Sequence, residues 1–200
     1  MTDTALIVID VQQSFTELPR WAAVSHPDIV SATINLVRHA RDAGDLVVWI
    51  LHAEPGSGTP FDPASGHVRL MPGLEPRPSE PVLTKTSRNA FTTTELGRVL
   101  TQRGITKLRI CGIQTEQCCE TTARIGADLG FTVDFVLDAT ATFPIPHWSV
   151  PTDRPYAELL ADPRTLSADA IIERTAYALA GRFATITTIA EVTSAPAVAH

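Results

Sequence analysis

Cysteine is scarce in this chain, at three residues in 200, and two of the three, Cys118 and Cys119, are adjacent. An odd count with a vicinal pair makes a poor disulfide framework, so free thiols in a reducing compartment are expected. Aromatic residues make up only 6% of the chain. Basic residues number 16 against 22 acidic ones, and the resulting net charge of −6 argues against nucleic acid or an anionic membrane surface as the main partner. No apolar run approaches the roughly 20 residues a membrane helix needs, and Met1-Thr-Asp-Thr lacks the charged start of a signal peptide. A cytoplasmic protein without membrane association is the expectation. With 44% hydrophobic and 19% charged residues, the composition also excludes a disordered chain, a collagen-like repeat and a coiled coil.

Proline is plentiful and unevenly placed. Seven of the 15 prolines lie between Pro55 and Pro81, and five between Pro144 and Pro163. Proline lacks a backbone donor and disrupts ladders and helix interiors, so these stretches predict two long irregular loops. Elsewhere strands alternate with helices. Ala5-Leu-Ile-Val-Ile9 is a continuous apolar run, as expected of a strand covered on both faces. Ser25 and Asp28 resemble a capping box ahead of a helix through Ile29, Thr33, Leu36 and Ala40, stopped by Gly44. Leu46–Leu51, Pro81–Thr84, Leu108–Cys111, Phe131–Leu137 and Ala184–Thr187 read as further strands. Thr94 caps a helix running to Gly104, Glu116–Leu129 forms another, and Ser167 caps a third through Ile171, Thr175 and Leu179. Thr187–Val192 adds a final helical turn. The pattern predicts a single doubly wound, Rossmann-like α/β domain over residues 1–193. Its six-stranded parallel sheet is flanked by helices, and residues 194–200 form a loose tail.

Ligands of such sheets bind outside the carboxyl ends of the strands. Asp10 follows the first strand, Lys85 follows the third, and Cys118 lies in the turn after the fourth, at the start of a helix. There the helix dipole and a nearby lysine favour thiolate, and a carboxylate within reach can move the thiol proton. Taken singly, Asp10 also fits a turn cap, Lys85 a solvated loop residue and Cys118 a small buried hydrophobe. Cys111 and Cys119 are read as structural.

These residues carry a resemblance. Ala5-Leu-Ile-Val-Ile-Asp10-Val-Gln12-Gln-Ser-Phe15, Lys85-Thr-Ser-Arg-Asn-Ala90-Phe91 and Gly112-Ile-Gln-Thr115-Glu-Gln-Cys118-Cys-Glu-Thr-Thr-Ala123 are similar to three ordered motifs of the isochorismatase-like cysteine hydrolases. Asn89 stands where serine is common, and Cys119 where valine is usual. The resemblance implies Cys118 as nucleophile, Asp10 as general acid/base and Lys85 as the cation orienting Asp10. It also implies a cis peptide at Ile113–Gln114 that turns backbone donors toward an oxyanion. The implied activity is hydrolysis of the C–N bond of a small amide, carbamoyl or ureido substrate through a thioester. An isochorismatase-type vinyl ether hydrolase using Asp10 as acid is the alternative within the family. A non-enzymatic binding or redox-sensing protein using Cys118 and Cys119 is the alternative outside it.

No metal and no cofactor are expected. Some relatives hold zinc through an Asp-x-His pair near the second strand, whereas here that strand ends Leu51-His52-Ala53-Glu54, with Asp62 and His67 separate in the next loop. Gly56-Ser-Gly58 lacks the third glycine of a dinucleotide loop. Substrate contacts are expected from Phe15, Trp21, His52, Arg88, Phe91, Phe143, His147 and Trp148, with Arg88 as a carboxylate clamp. The partner is a small molecule, and the resemblance implies a homodimer or homotetramer.

Overall fold

The computed structural model describes residues 2–151 and 154–194. Its centre is β1 (Thr4–Ile9), which is buried along its whole length. β2 (Leu46–His52) and β3 (Val82–Lys85) lie to one side of it. β4 (Lys107–Ile113), β5 (Thr132–Ala141) and β6 (Thr185–Thr187) lie to the other. All neighbours are parallel and the order is β3-β2-β1-β4-β5-β6. The winding therefore reverses between β1 and β4, where a crevice opens at the strands' carboxyl ends.

Each face of the sheet has its own core. Leu6 and Val8 of β1 pack with Ile29, Leu36 and Ala40 of α1 (Ile29–Ala43) and Val192 of α6 (Ile189–Ser194). Ala5, Ile7 and Ile9 point the other way. They meet Leu96 and Leu100 of α2 (Leu96–Gln102), Ala123 of α3 (Glu120–Asp128) and Leu179 of α5 (Ala168–Leu179). The alternation follows from the two-residue period of a strand, and the unbroken apolar sequence from burial of both faces. Among the described residues no helix is long and apolar enough to cross a membrane.

Several expected boundaries move. Gly44 does end α1 in the left-handed region, at φ 76°, but Ser25 is no capping box. Its backbone N–H donates to Thr142 O at 2.9 Å and its hydroxyl accepts from Thr142 N at 3.0 Å, tying the first loop to the end of β5. Lys85 is the last residue of β3 rather than the first beyond it. The segment expected to begin a helix at Glu116 opens instead with one π turn, Thr115–Cys119, before α3. β5 outruns its expected end because it bulges: Ile110 pairs with Phe135, but Gly112 pairs with Thr140. The second proline-rich stretch holds a short helix, α4 (Tyr156–Ala161), which starts directly after Pro155 as helices favour. Ser194, assigned to the tail, closes α6, and residues 195–200 lie outside the described residues.

Gly112 is where β1 and β4 leave no room for a side chain. Its φ is 127°, and a Cβ there would sit 1.9 Å from the carbonyl oxygen of Ile9. At Gly44, also at positive φ, a Cβ would meet nothing within 4 Å. Gly44→Ala is therefore expected to cost only the conformational penalty, about 1–2 kcal/mol. Gly112→Ala must also push the central strands β1 and β4 away from each other and should cost well over about 3 kcal/mol, or yield no folded protein. Paired urea melts decide this, and equal midpoints for the two variants would refute the close-approach account.

Candidate active site

Asp10 leaves β1 with φ 53°, the one positive φ outside glycine among the described residues. Aspartate tolerates this region better than most residues. The turn lets the backbone N–H of Asp10 donate to Ile50 O at 2.9 Å and leaves its side chain fully buried beneath the crevice. Gln12, from the same turn, spans the end of β2: its amide oxygen accepts from His52 N at 2.7 Å, and its amide nitrogen donates to His52 O at 3.0 Å. Lys85, fully buried at the end of the edge strand β3, reaches past β2. Its Nζ lies 2.7 Å from Asp10 Oδ2 and donates to Cys118 Sγ at 3.3 Å.

Cys118 is set by the π turn. Thr115 pins the turn to β5 by donating to the Thr140 hydroxyl at 2.9 Å. Thr122 donates to Cys118 O at 2.6 Å and accepts from Ala90 N at 3.1 Å, joining the turn to the loop after β3. The Ile113–Gln114 peptide just before the turn is cis. Cys119 is fully buried in the core, and all three cysteines are free thiols.

The electrostatics differ from the sequence expectation. The helix start and the lysine are read from the sequence as favouring thiolate, yet burial and the Asp10 carboxylate push the Cys118 thiol up to about 12, with Lys85 pulling the other way. Burial also raises Asp10, against the lowering influence of Lys85. Burial, and then Lys85, draw His52 down, so its imidazole is neutral near pH 7. Cys118 therefore rests as a neutral thiol beside the Lys85–Asp10 ion pair.

Above the trio lies a cleft of about 640 Å³. Asp10, Phe15, His52, Arg88, Gln114 and Cys118 line it, while Ile113 is wholly buried behind. Five expected contact residues do not line it. Phe143 is buried behind Phe15, with ring centroids 5.9 Å apart, and Trp21 leans on Phe143 from outside. Phe91 stacks on Phe131, away from the cleft. His147 packs on Trp148, which is 89% exposed. Arg88 is also not a free clamp, because His52 Nε2 lies 3.0 Å from it and Glu54 Oε1 3.4 Å. Asp62 is occupied in its own loop, accepting from Gly58 N and Ala64 N. The sequence reading missed Arg20, Glu54, Phe61, Gln117, Tyr156 and Leu159, all of which line the cleft. Tyr156 and Leu159 did carry a signal, the i, i+3 spacing of a helix face behind a proline.

A doubly wound α/β chain with carboxylate, ammonium and thiol gathered under a cleft at its switch point has the framework of a small-molecule hydrolase. Residues 4–189 match the isochorismatase domain, and the chain belongs to the isochorismatase family of hydrolases. It is 40% identical over 145 residues to a streptothricin hydrolase of Streptomyces noursei, covering 71% of this chain and 56% of the relative. The chain thus spans little more than half of that relative's length. It is 33% identical over 149 residues to nicotinamidase 3 of Arabidopsis thaliana, covering 70% of this chain and 73% of the relative. A cysteine hydrolase from Pseudomonas syringae pv. phaseolicola superposes with a TM-score of 0.78 at 26% identity, over 96% of this chain and 92% of that one.

If Asp10 is what holds the thiol protonated, Asp10→Asn should leave Lys85 to Cys118 alone and lower the thiol pKa. Each unit of lowering is worth about tenfold in thiolate at neutral pH, so Cys118 should alkylate with iodoacetamide at least about tenfold faster at pH 7. Peptide mass spectrometry follows this residue by residue. A slower rate in Asp10→Asn would show that the carboxylate assists the thiolate instead of opposing it.

Proposed function

We propose that this protein hydrolyses the C–N bond of a small amide, carbamoyl or ureido substrate by covalent cysteine catalysis. The observation that carries this reading is Lys85 Nζ held 2.7 Å from Asp10 and 3.3 Å from Cys118 beneath an open cleft. The relatives named for streptothricin, nicotinamide and cysteine-dependent hydrolysis support the same class.

The route follows from the resting charges. Cys118 is neutral, so attack on the substrate carbonyl requires its proton to pass to Asp10 as the S–C bond forms. The negative charge then sits on the substrate oxygen, which backbone N–H groups of the Gln114–Cys118 turn receive. Collapse breaks the C–N bond, and Asp10 returns the proton to the nitrogen, releasing ammonia or an amine and leaving a thioester on Cys118. Water gives a proton to Asp10 as it attacks the thioester. The expelled sulfur then recovers that proton, and the carboxylic acid departs. Lys85 neutralises the Asp10 carboxylate before each proton transfer and the sulfur as it is expelled.

Cys118→Ala should therefore fold with a melting temperature close to that of the parent and lose ammonia release by about a thousandfold or more. The assay is ammonia production from a panel of primary amides, N-carbamoyl amino acids and ureido acids. Near-parental turnover in the variant would sink the covalent route. Hydrolysis of a vinyl ether by the variant, with no ammonia from any amide in the parent, would replace C–N cleavage with Asp10 acid chemistry.

A further inference from the structure

Most of the charge lining the cleft is matched locally. Lys85 is paired with Asp10, and Arg88 faces Glu54. Arg20 is different. It makes no ion pair among the described residues, and its Nε is buried without a hydrogen-bond partner. Its guanidinium instead lies over two rings, 5.1 Å from the centroid of Phe143 and 5.9 Å from that of Phe15. Ring contact holds a guanidinium in place while leaving its in-plane N–H donors free.

A second unpartnered group lies in the same wall. The hydroxyl of Tyr156, on α4, is buried with no hydrogen-bond partner and interacts electrostatically with Arg20. Both side chains line the cleft that Asp10 and Cys118 enter. Glu116 also acts on Arg20, but its oxygens already accept from Thr142 Oγ1 at 2.5 Å and from Gln114 Nε2 at 3.4 Å. Arg154, exposed at the rim, adds charge of the same sign. Buried donors without partners are rare in folded proteins, and here two of them share one cleft wall.

We propose that Arg20 and Tyr156 form a carboxylate-binding subsite, so that the substrate is a small acid whose amide or carbamoyl group reaches Cys118. This rests on the C–N hydrolysis inferred above and narrows its substrate class. A planar guanidinium fork with one phenolic O–H beside it complements the two oxygens of a carboxylate. A neutral amide would leave both donors unpaired, as they are now.

Matched probes test it: succinamate against butyramide, and N-carbamoylglycine against ethylurea, each pair differing in one carboxylate. Binding is measured by calorimetry on Cys118→Ala, and ammonia release on the parent. The acid of a pair should be preferred. Arg20→Gln should lower that preference by about tenfold or more, as loss of a charge-assisted hydrogen bond predicts, and chiefly through KM. Tyr156→Phe, which removes a single oxygen, should lower it less and guards against misfolding of the arginine variant. Absence of any carboxylate preference, including failure of both acids to bind, overturns the proposal. So does Arg20→Gln weakening acid and neutral probes alike. Acid binding that depends on Arg20 without ammonia release would keep the subsite and reject the hydrolysis. Equal ammonia release from acid and neutral probes would do the reverse.

Discussion

One buried ammonium serves two acids at the floor of this cleft. Lys85 touches both the Asp10 carboxylate and the Cys118 sulfur, and no solvent reaches any of the three freely. Burying an ion costs several kcal/mol, on the order of the stability of a small domain, unless an opposite charge is held against it. With one cation present, the site supports one anion at a time. The carboxylate holds that place at rest, and burial together with that carboxylate keeps the thiol protonated. On the proposed route the proton crosses from sulfur to carboxylate as the negative charge passes on to the substrate oxygen, and the ammonium stays beside both groups without moving. The buried charge stays constant through the transfer, so little has to reorganise around it.

Such an arrangement demands placement, and most of the unusual backbone serves it. Asp10 adopts a left-handed conformation so that its carboxylate turns under the crevice while its N–H still pairs with β2. Gly112 lacks a side chain because β4 runs against the carbonyl of Ile9. Gln12 replaces missing ladder bonds at the end of β2, and Thr115 and Thr122 hold the π turn from two sides. Lys85 reaches Asp10 across the end of β2, which lies between their strands. These supports are short-range and polar, whereas the strands beneath them are held by apolar packing on both faces.

That division explains what could be read from the chain alone. Runs such as Ala5–Ile9 and the spacing of Ile29, Leu36 and Ala40 report burial directly, because burial is what selects them. The six parallel strands and the positions of Asp10, Lys85 and Cys118 at their ends followed from the same pattern and from motif resemblance, whereas the order of the strands did not. The rest depended on contacts that no local pattern encodes. Ser25 has the residue type of a cap but bonds to Thr142, far along the chain. The bulge in β5 is visible only once β4 lies beside it. Proline density hid α4, because a proline that starts a helix looks the same in sequence as one that prevents it. The aromatic residues misled for a related reason. Phe143 and Phe91 were assigned to the substrate, but the core claimed Phe143, and Phe91 packs on Phe131 at the core's edge.

Phe15 and Phe143 show how the two halves of the protein meet. Their stacked rings belong to the core beside β1, yet the Phe15 ring also faces the cleft, and Arg20 lies across the pair. A guanidinium placed this way is fixed by the core without being neutralised by it. The reacting groups, by contrast, stand on strand ends and answer to one another through a shared charge, so none of them can change alone. Arg20 and Tyr156 have no hydrogen bond or ion pair to the reacting groups among the described residues. Substitution there alters which molecule is held while leaving the ammonium, carboxylate and thiol in place. The physical separation of charge-coupled chemistry from ring-supported recognition lets one parallel sheet present the same reacting groups to different substrates.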